Sequence, residues 1–261
     1  MICQSKLTFA PWLEPRARKL PGLMPIEAGR WLIVDDAYTG QLKRKRSLLQ
    51  TSLSDVLMVS DGAQPAAHEL LEAVLEELKG QPGFHFDNQE ITRPDGERVI
   101  VDWESPMMTL SQLVQEDFAI MEKQGDEHVL TAALLCFPAS WTLRQKYMRP
   151  LLAIHATVDV YDDNIGKRVQ RLFDGIQVDR PMWRANALFY TDPELYQPRL
   201  ENDPRPRPTG PAAFVRSERQ SMIRLPQSNA VVFSIHTSVV RRENLTEEQA
   251  DGLSDNPIAV A

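Results

Sequence analysis

Residues 130–161 read LTAALLCFPASWTLRQKYMRPLLAIHATVDVY, and the folding of this stretch decides the architecture. An apolar run ends in Cys136-Phe137-Pro138, an irregular turn of Pro, Ser and Trp follows, and a second apolar run carries one histidine, His155. Both runs are short and bounded by turn residues, which predicts strands over 130–137 and 151–158. Alternation along the second would set Leu152, Ile154, Ala156 and Val158 on one side, and Leu151, Ala153, His155 and Thr157 on the other. Small residues would then flank the imidazole. Two readings of His155 stay open at this point: a satisfied core residue, the commoner fate of a lone histidine among apolar neighbours, or a ligand facing a pocket.

Outward from that stretch, residues 110–122 (LSQLVQEDFAIME) predict a helix whose apolar face is Leu110, Leu113, Val114, Phe118 and Met121. Asp117 falls on the same face, where a carboxylate needs a partner or a raised pKa. It is either a structural salt bridge or cap, or a carboxylate turned to a ligand pocket. A helix from about Pro65 carries the stripe Leu70, Leu71, Val74, Leu75 and Leu78 and stops at Gly80. Residues 38–57 predict another, with the basic cluster Lys43-Arg44-Lys45-Arg46 as its solvated face. Residues 159–176 predict a fourth. Short strands are expected at 31–34, 84–86, 98–103 and 182–190. Residues 214–225 and 230–240 flank Pro226-Gln227-Ser228-Asn229 and predict a hairpin. Thr246 is placed to cap a short helix.

The expected fold class is α+β: an antiparallel sheet with flanking helices, one globular domain over residues 31–240. An irregular proline-containing lead-in (1–30) precedes it. A Pro-rich loop (192–211) interrupts it, and a mobile tail (241–261) follows.

Composition bounds the function. Hydrophobic content of 43% and charged content of 25% are those of a water-soluble globular chain of 261 residues. A net charge of -7 gives no footprint for nucleic acid. No apolar run approaches the ~20 residues of a membrane helix, so the expected setting is cytoplasmic, with no membrane partner. Cys3 and Cys136 are the only cysteines, too few for a four-thiolate iron–sulfur cluster. Glycine-rich phosphate loops, nucleophile elbows and paired-histidine or paired-cysteine zinc motifs are absent. Of five scattered histidines, His155 and His236 lie in apolar strand contexts; a neutral imidazole presented from a strand into an apolar pocket is an arrangement that a haem iron accepts as its proximal ligand, which periodicity permits without showing.

Several blocks together resemble the haem-binding α subunit of the haem-dependent oxidative N-demethylase (dimethylamine or secondary-amine monooxygenase) family. They are GLMPIEAGRWLIVDDAY (22–38), LVQEDFAIM (113–121), LTAALLCFPASW (130–141), PLLAIHATV (150–158) and FVRSERQSMIRLPQSNAVVFSIHT (214–237). The resemblance runs from Gly22 to Val240 and implies a PAS-like fold and a b-type haem (haem b) on this chain with His155 as its iron ligand. It also implies O2- and NADPH-dependent oxidation of a secondary amine to a shorter amine and formaldehyde. Electrons would come through a flavin and iron–sulfur reductase subunit, so that NADPH, FMN, a 2Fe-2S cluster and tetrahydrofolate belong to partner subunits. On the same footing Arg216 and Arg219 are expected at the haem propionates, and Asp117 becomes the carboxylate that holds the cationic amine. The chain departs from the family pattern at Thr157-Val158-Asp159, where Pro-Val-Pro is usual, and at Ala187, where Trp tends to follow the Asn. A non-catalytic haem- or small-ligand-binding sensor, or an interaction protein, on the same fold is the alternative.

Overall fold

The computed structural model describes residues 2–18, 21–27, 31–155, 163–204 and 210–261, without the side chains of residues 155 and 163–167. In chain order the elements are β1 (Met24–Pro25), α1 (Tyr38–Thr51), α2 (Leu53–Val56), β2 (Leu57–Val59), α3 (Gln64–Lys79), β3 (His85–Asp87), β4 (Glu90–Thr92), β5 (Arg98–Ile100) and α4 (Pro106–Leu113). The second half supplies β6 (Asp117–Gln124), β7 (Glu127–Leu134), α5 (Leu143–Lys146), α6 (Leu151–His155), α7 (Asp163–Gly175), β8 (Met182–Tyr190), β9 (Phe214–Arg224), β10 (Val231–Arg241) and α8 (Glu247–Asp255). Seven strands form an antiparallel sheet in the order β1-β8-β9-β10-β6-β7-β2, and β3-β4-β5 form a small second sheet. Helix and antiparallel sheet in one domain is the α+β class that the patterning predicts.

The β9–β10 hairpin is the sheet's longest pairing, from Val231 opposite Arg224 to Arg241 opposite Phe214. Register decides which side chains share a face, because paired residues point the same way and neighbours along a strand point oppositely. One face carries Arg216, Glu218 and Gln220 of β9, beside Leu188, Asn186 and Arg184 of β8 and Val239, Thr237 and Ile235 of β10. The opposite face carries Ser217, Arg219 and Ser221, beside Ala187, Ala185 and Trp183, and beside Ser238, His236 and Ser234. The main core lies on that opposite face. There Leu42 of α1, Leu70 and Leu71 of α3, and Leu110 and Leu113 of α4 meet Phe118, Ile120, Leu134 and Val232. On the first face Leu151 of α6 and Phe173 of α7 close over Met121, Leu130, Ala133, Met222 and Val231.

The strands expected at 31–34 and 151–158 do not form, and the helix expected at 110–122 is two elements. α4 ends at Leu113, Val114 turns extended (φ -133, ψ 154), and β6 begins at Asp117. Phe118 is buried on one face of β6 and Met121 on the other. With both faces covered, the apolar run keeps no alternation and imitates a helical stripe. Residues 151–155 form the short helix α6, whose Ile154 N–H donates to the Pro150 carbonyl (3.0 Å). A proline fixed at helical φ opens a helix well, and Leu151 and Ile154, three apart, pack inward together. The strand alternation that set Ala153 and Thr157 beside His155 therefore does not hold. Residues 156–158 lie outside the described residues.

Residues 31–35 run as irregular chain, with the Glu77 carboxylate accepting from the N–H groups of Trp31 (2.8 Å) and Leu32 (3.2 Å). The helix expected at 38–57 breaks at Ser52, and Leu57 opens the edge strand β2. At the far end Thr246 caps α8 in a reciprocal capping box with Gln249. The tail is tied down: Trp12 Nε1 donates to the Gln249 carbonyl (2.8 Å), and Phe189 N–H donates to the Ala259 carbonyl (2.8 Å). Leu7, Ala10 and Trp12 of the lead-in share a cluster with Val215, Val240 and Leu253. The two ends of the chain thus clasp the β8–β10 half of the sheet. Among the described residues no helix is long and apolar enough to cross a membrane.

Candidate functional site

Among the described residues no helix lines the first face where residues 186–190 pair with 214–218. A cleft of about 180 Å³ opens there between Asn186, Leu188 and Tyr190 of β8, Arg216 and Glu218 of β9, the Ala139–Ser140 turn, and Ala261. That is small beside the ~300–1,000 Å³ clefts that take drug-sized ligands, and ample for a molecule of a few heavy atoms. Its rim is built from two irregular segments that brace each other. Gln197 N–H donates to the Pro138 carbonyl (3.2 Å), and Ser140 N–H donates to the Gln197 carbonyl (3.0 Å). Ser140 sits in the left-handed region (φ 63), a conformation uncommon outside glycine that often accompanies functional sites.

Arg216 is the cleft's floor. It is buried, with Nη1 donating to the Leu195 carbonyl (3.0 Å) and Nη2 to the Phe137 carbonyl (2.6 Å). Its Nε is buried without a partner, as are Arg184 Nε and Thr237 Oγ1 on the same face. Glu218 lies 3.4 Å from Arg216 Nη2 and accepts from Gln220 Nε2 (3.1 Å). Arg184, half-buried one pleat beyond Asn186, has no hydrogen bond among the described residues. Burial pulls its pKa down, opposed by the charge of Glu218.

Asp117 stands behind this floor rather than in it. It is almost completely buried at the start of β6; its Oδ2 accepts from the Phe137 N–H (2.6 Å) and its Oδ1 lies 3.1 Å from Lys45 Nζ. Lys45 is fully buried on α1, also donates to the Glu116 carbonyl, and lies over the Phe137 ring. The basic cluster is therefore not wholly a solvated face: its third member faces inward to neutralise Asp117. Burial pushes the Asp117 carboxyl up, against the pull of Lys45 and the Phe137 N–H. A continuous chain results, in which Asp117 holds the Phe137 backbone and the Phe137 carbonyl holds Arg216. Cys136, within that turn, is a buried thiol whose pKa burial pushes up, so it stays neutral.

Arg219 is not brought to the cleft. Three residues from Arg216, it projects from the opposite face, donates to the Trp31 carbonyl (3.3 Å) and lies over the Trp183 ring at 4.7 Å. Beside it on β10, His236 is clamped between two carboxylates, with Nε2 3.0 Å from Asp35 Oδ2 and Nδ1 3.1 Å from Glu116 Oε1. Burial alone would lower the His236 pKa; the two carboxylates outweigh it and hold it at about 9. Asp35 is held below the usual carboxylate range, because the His236 bond and those from Gln115 and Gln4 outweigh its burial. This clamp pins the lead-in to the sheet. The Val-Phe-Ser-Ile-His-Thr alternation puts His236 on a strand but does not show that two carboxylates from distant segments would meet it.

The backbone of His155 closes α6 in the helical layer over the first face, and its side chain lies outside the description. Residues 22–255 match the family described as haem-dependent oxidative N-demethylase, alpha subunit-like. The chain belongs to this family. Among the described residues the buried Nε of Arg216 and the Nε of Arg184 have no hydrogen-bond partner, and cations of this kind would suit the propionates of a haem. The cleft itself, at about 180 Å³, is too small for the macrocycle. Of the other buried histidines, His236 is held through both ring nitrogens by its clamp, and His128 pairs through Nδ1 with Gln170 (2.8 Å).

Proposed function

We propose that this chain is the haem-binding subunit of an oxidative N-demethylase, with a PAS-like use of its sheet face and His155 as iron ligand. It would act in the cytoplasm on a small secondary amine such as dimethylamine, with O2. NADPH would supply the electrons through FMN and a 2Fe-2S cluster on a separate reductase subunit, and tetrahydrofolate would take up the formaldehyde. The observation that carries this reading is the polar cleft, with the Glu218 carboxylate beside a buried Arg216 whose Nε has no partner among the described residues, in a chain of this family. A bound haem b would supply the iron at which O2 and electrons meet.

The chain's own residues have separable tasks. Arg216 would meet a propionate through Nε while its other nitrogens stay on the Leu195 and Phe137 carbonyls. Arg219, on the far face, would serve only by fixing Trp31 and Trp183 under the sheet. Asp117 reaches an amine only by giving up Lys45, so we assign it to positioning: it holds the Phe137 turn that fixes Arg216. Haem titration of the purified chain checks the reading. A one-to-one Soret band is expected, altered or lost in His155→Ala; a wild-type chain that takes up no haem sinks it. With a competent reductase, formaldehyde release on adding a secondary amine separates catalysis from the sensor alternative, which binds without turnover.

A further inference from the structure

Helix α6 is too short to hold its own end. The last four carbonyls of any helix accept nothing from within it, and in a helix of five residues those are nearly all it has. One of them, the Ile154 carbonyl, is taken by a side chain from outside. Lys146, the last residue of α5, is only 4% exposed, and its Nζ donates to the Ile154 carbonyl (2.5 Å) and to Glu201 Oε1 (2.6 Å). An ammonium kept out of water needs a paired carboxylate, and a cation suits the negative end of a helix. Lys146 meets both conditions. Glu201 also accepts from Arg149 Nη1 (3.1 Å), and its own N–H donates to Gln145 Oε1 (3.0 Å). The Lys146 bond is the main cause that holds the Glu201 carboxyl below its ordinary range. The Ile154 carbonyl belongs to the peptide unit shared with His155, so the bond fixes the plane from which the His155 backbone continues.

We infer that Lys146 is the positioning residue for the iron ligand: it holds the Ile154 carbonyl and thereby the backbone of His155, while Glu201 keeps the ammonium in place. This rests on the reading of His155 as haem ligand given above. The stretch that carries Glu201 also carries Leu195 and Gln197, whose carbonyls accept from Arg216 Nη1 (3.0 Å) and the Ser140 N–H (3.0 Å). The cleft and the end of α6 thus share one support.

Haem titration of the full chain, with resonance Raman spectra of the ferrous form, tests it. Lys146→Met keeps the aliphatic stem and loses the donor. It is expected to weaken haem uptake about tenfold and to shift the iron–histidine stretching band. Arg149→Met removes the other cation on Glu201 and leaves the Ile154 carbonyl bonded, so uptake and band should stay at their wild-type values. If circular dichroism shows Lys146→Met unfolded, Glu201→Gln decides, and it should move the band in the same sense by a smaller amount. A band and affinity unchanged in the folded lysine variant, or unchanged in Glu201→Gln where that variant decides, overturns the inference and leaves the haem reading standing. So does an equal shift in Arg149→Met, which would mark general loosening. A wild-type chain without a Soret band overturns the haem reading and this inference with it.

Discussion

Single residues here are held by charge as much as by apolar burial. Lys45 and Asp117 are both out of solvent, so removing one strands the other. Asp117→Asn should cost about 3–5 kcal/mol in urea unfolding; a loss below about 1 kcal/mol would show that the lysine finds water or another partner. His236 gives a pH signature. In the unfolded chain its imidazole releases its proton near 6.5, and in the folded chain it keeps it to about 9. The clamp's contribution is thus complete below about 6.5 and is lost as pH rises through about 9, on the order of 3 kcal/mol in all. Melting curves across that interval should show the decline, and His236→Asn should flatten it at a lower overall stability. A wild-type profile that is flat between pH 6.5 and 9 would mean that the imidazole is not charged inside the clamp.

At the scale of elements, turns and caps were the legible part. The β9–β10 hairpin follows from Pro226-Gln227-Ser228-Asn229, and Asn229 takes the left-handed conformation (φ 57) that asparagine tolerates better than most residues. Asn229→Val should therefore cost about 1–2 kcal/mol, Asn229→Gly very little, as chemical unfolding would show. Thr246→Ala should cost about 1 kcal/mol through the lost cap of α8. Helix α3, strand β8 and the β7 strand could likewise be read from pattern. The misreadings at β6 and α6 share a cause: both are short apolar runs covered by neighbours, and period alone does not separate a buried strand from a buried helix. The site was legible only in fragments. Arg216 lies in a recognisable hairpin block, but its partners at Phe137 and Leu195 come from turns far away in sequence. Asn186 and Glu218 face each other only through the β8–β9 register, which no local pattern fixes. The inward turn of Lys45 had no signal beyond its place among three other basic residues.

At the scale of the whole molecule, the segment after α8 contributes to the cleft wall. Ala261 lines the cleft and donates through its N–H to the Phe189 carbonyl (2.9 Å). A chain ending at residue 255 keeps α8 and its capping box, so it should melt within a few degrees of the full chain while binding dimethylamine several-fold more weakly. Unchanged affinity would show that this wall is dispensable. The sheet order has a further consequence, for synthesis. β10 is the middle strand, flanked by β9 and β6, yet it is the last of the seven to be made. Until residues 231–241 leave the ribosome, the nascent chain holds β6–β7–β2 as a three-stranded fragment with an unpaired edge, and Phe118, Ile120 and Met121 half-covered. An open apolar edge of that kind invites pairing with the wrong chain. The strand that unites the two halves is therefore also the one whose emergence covers that edge.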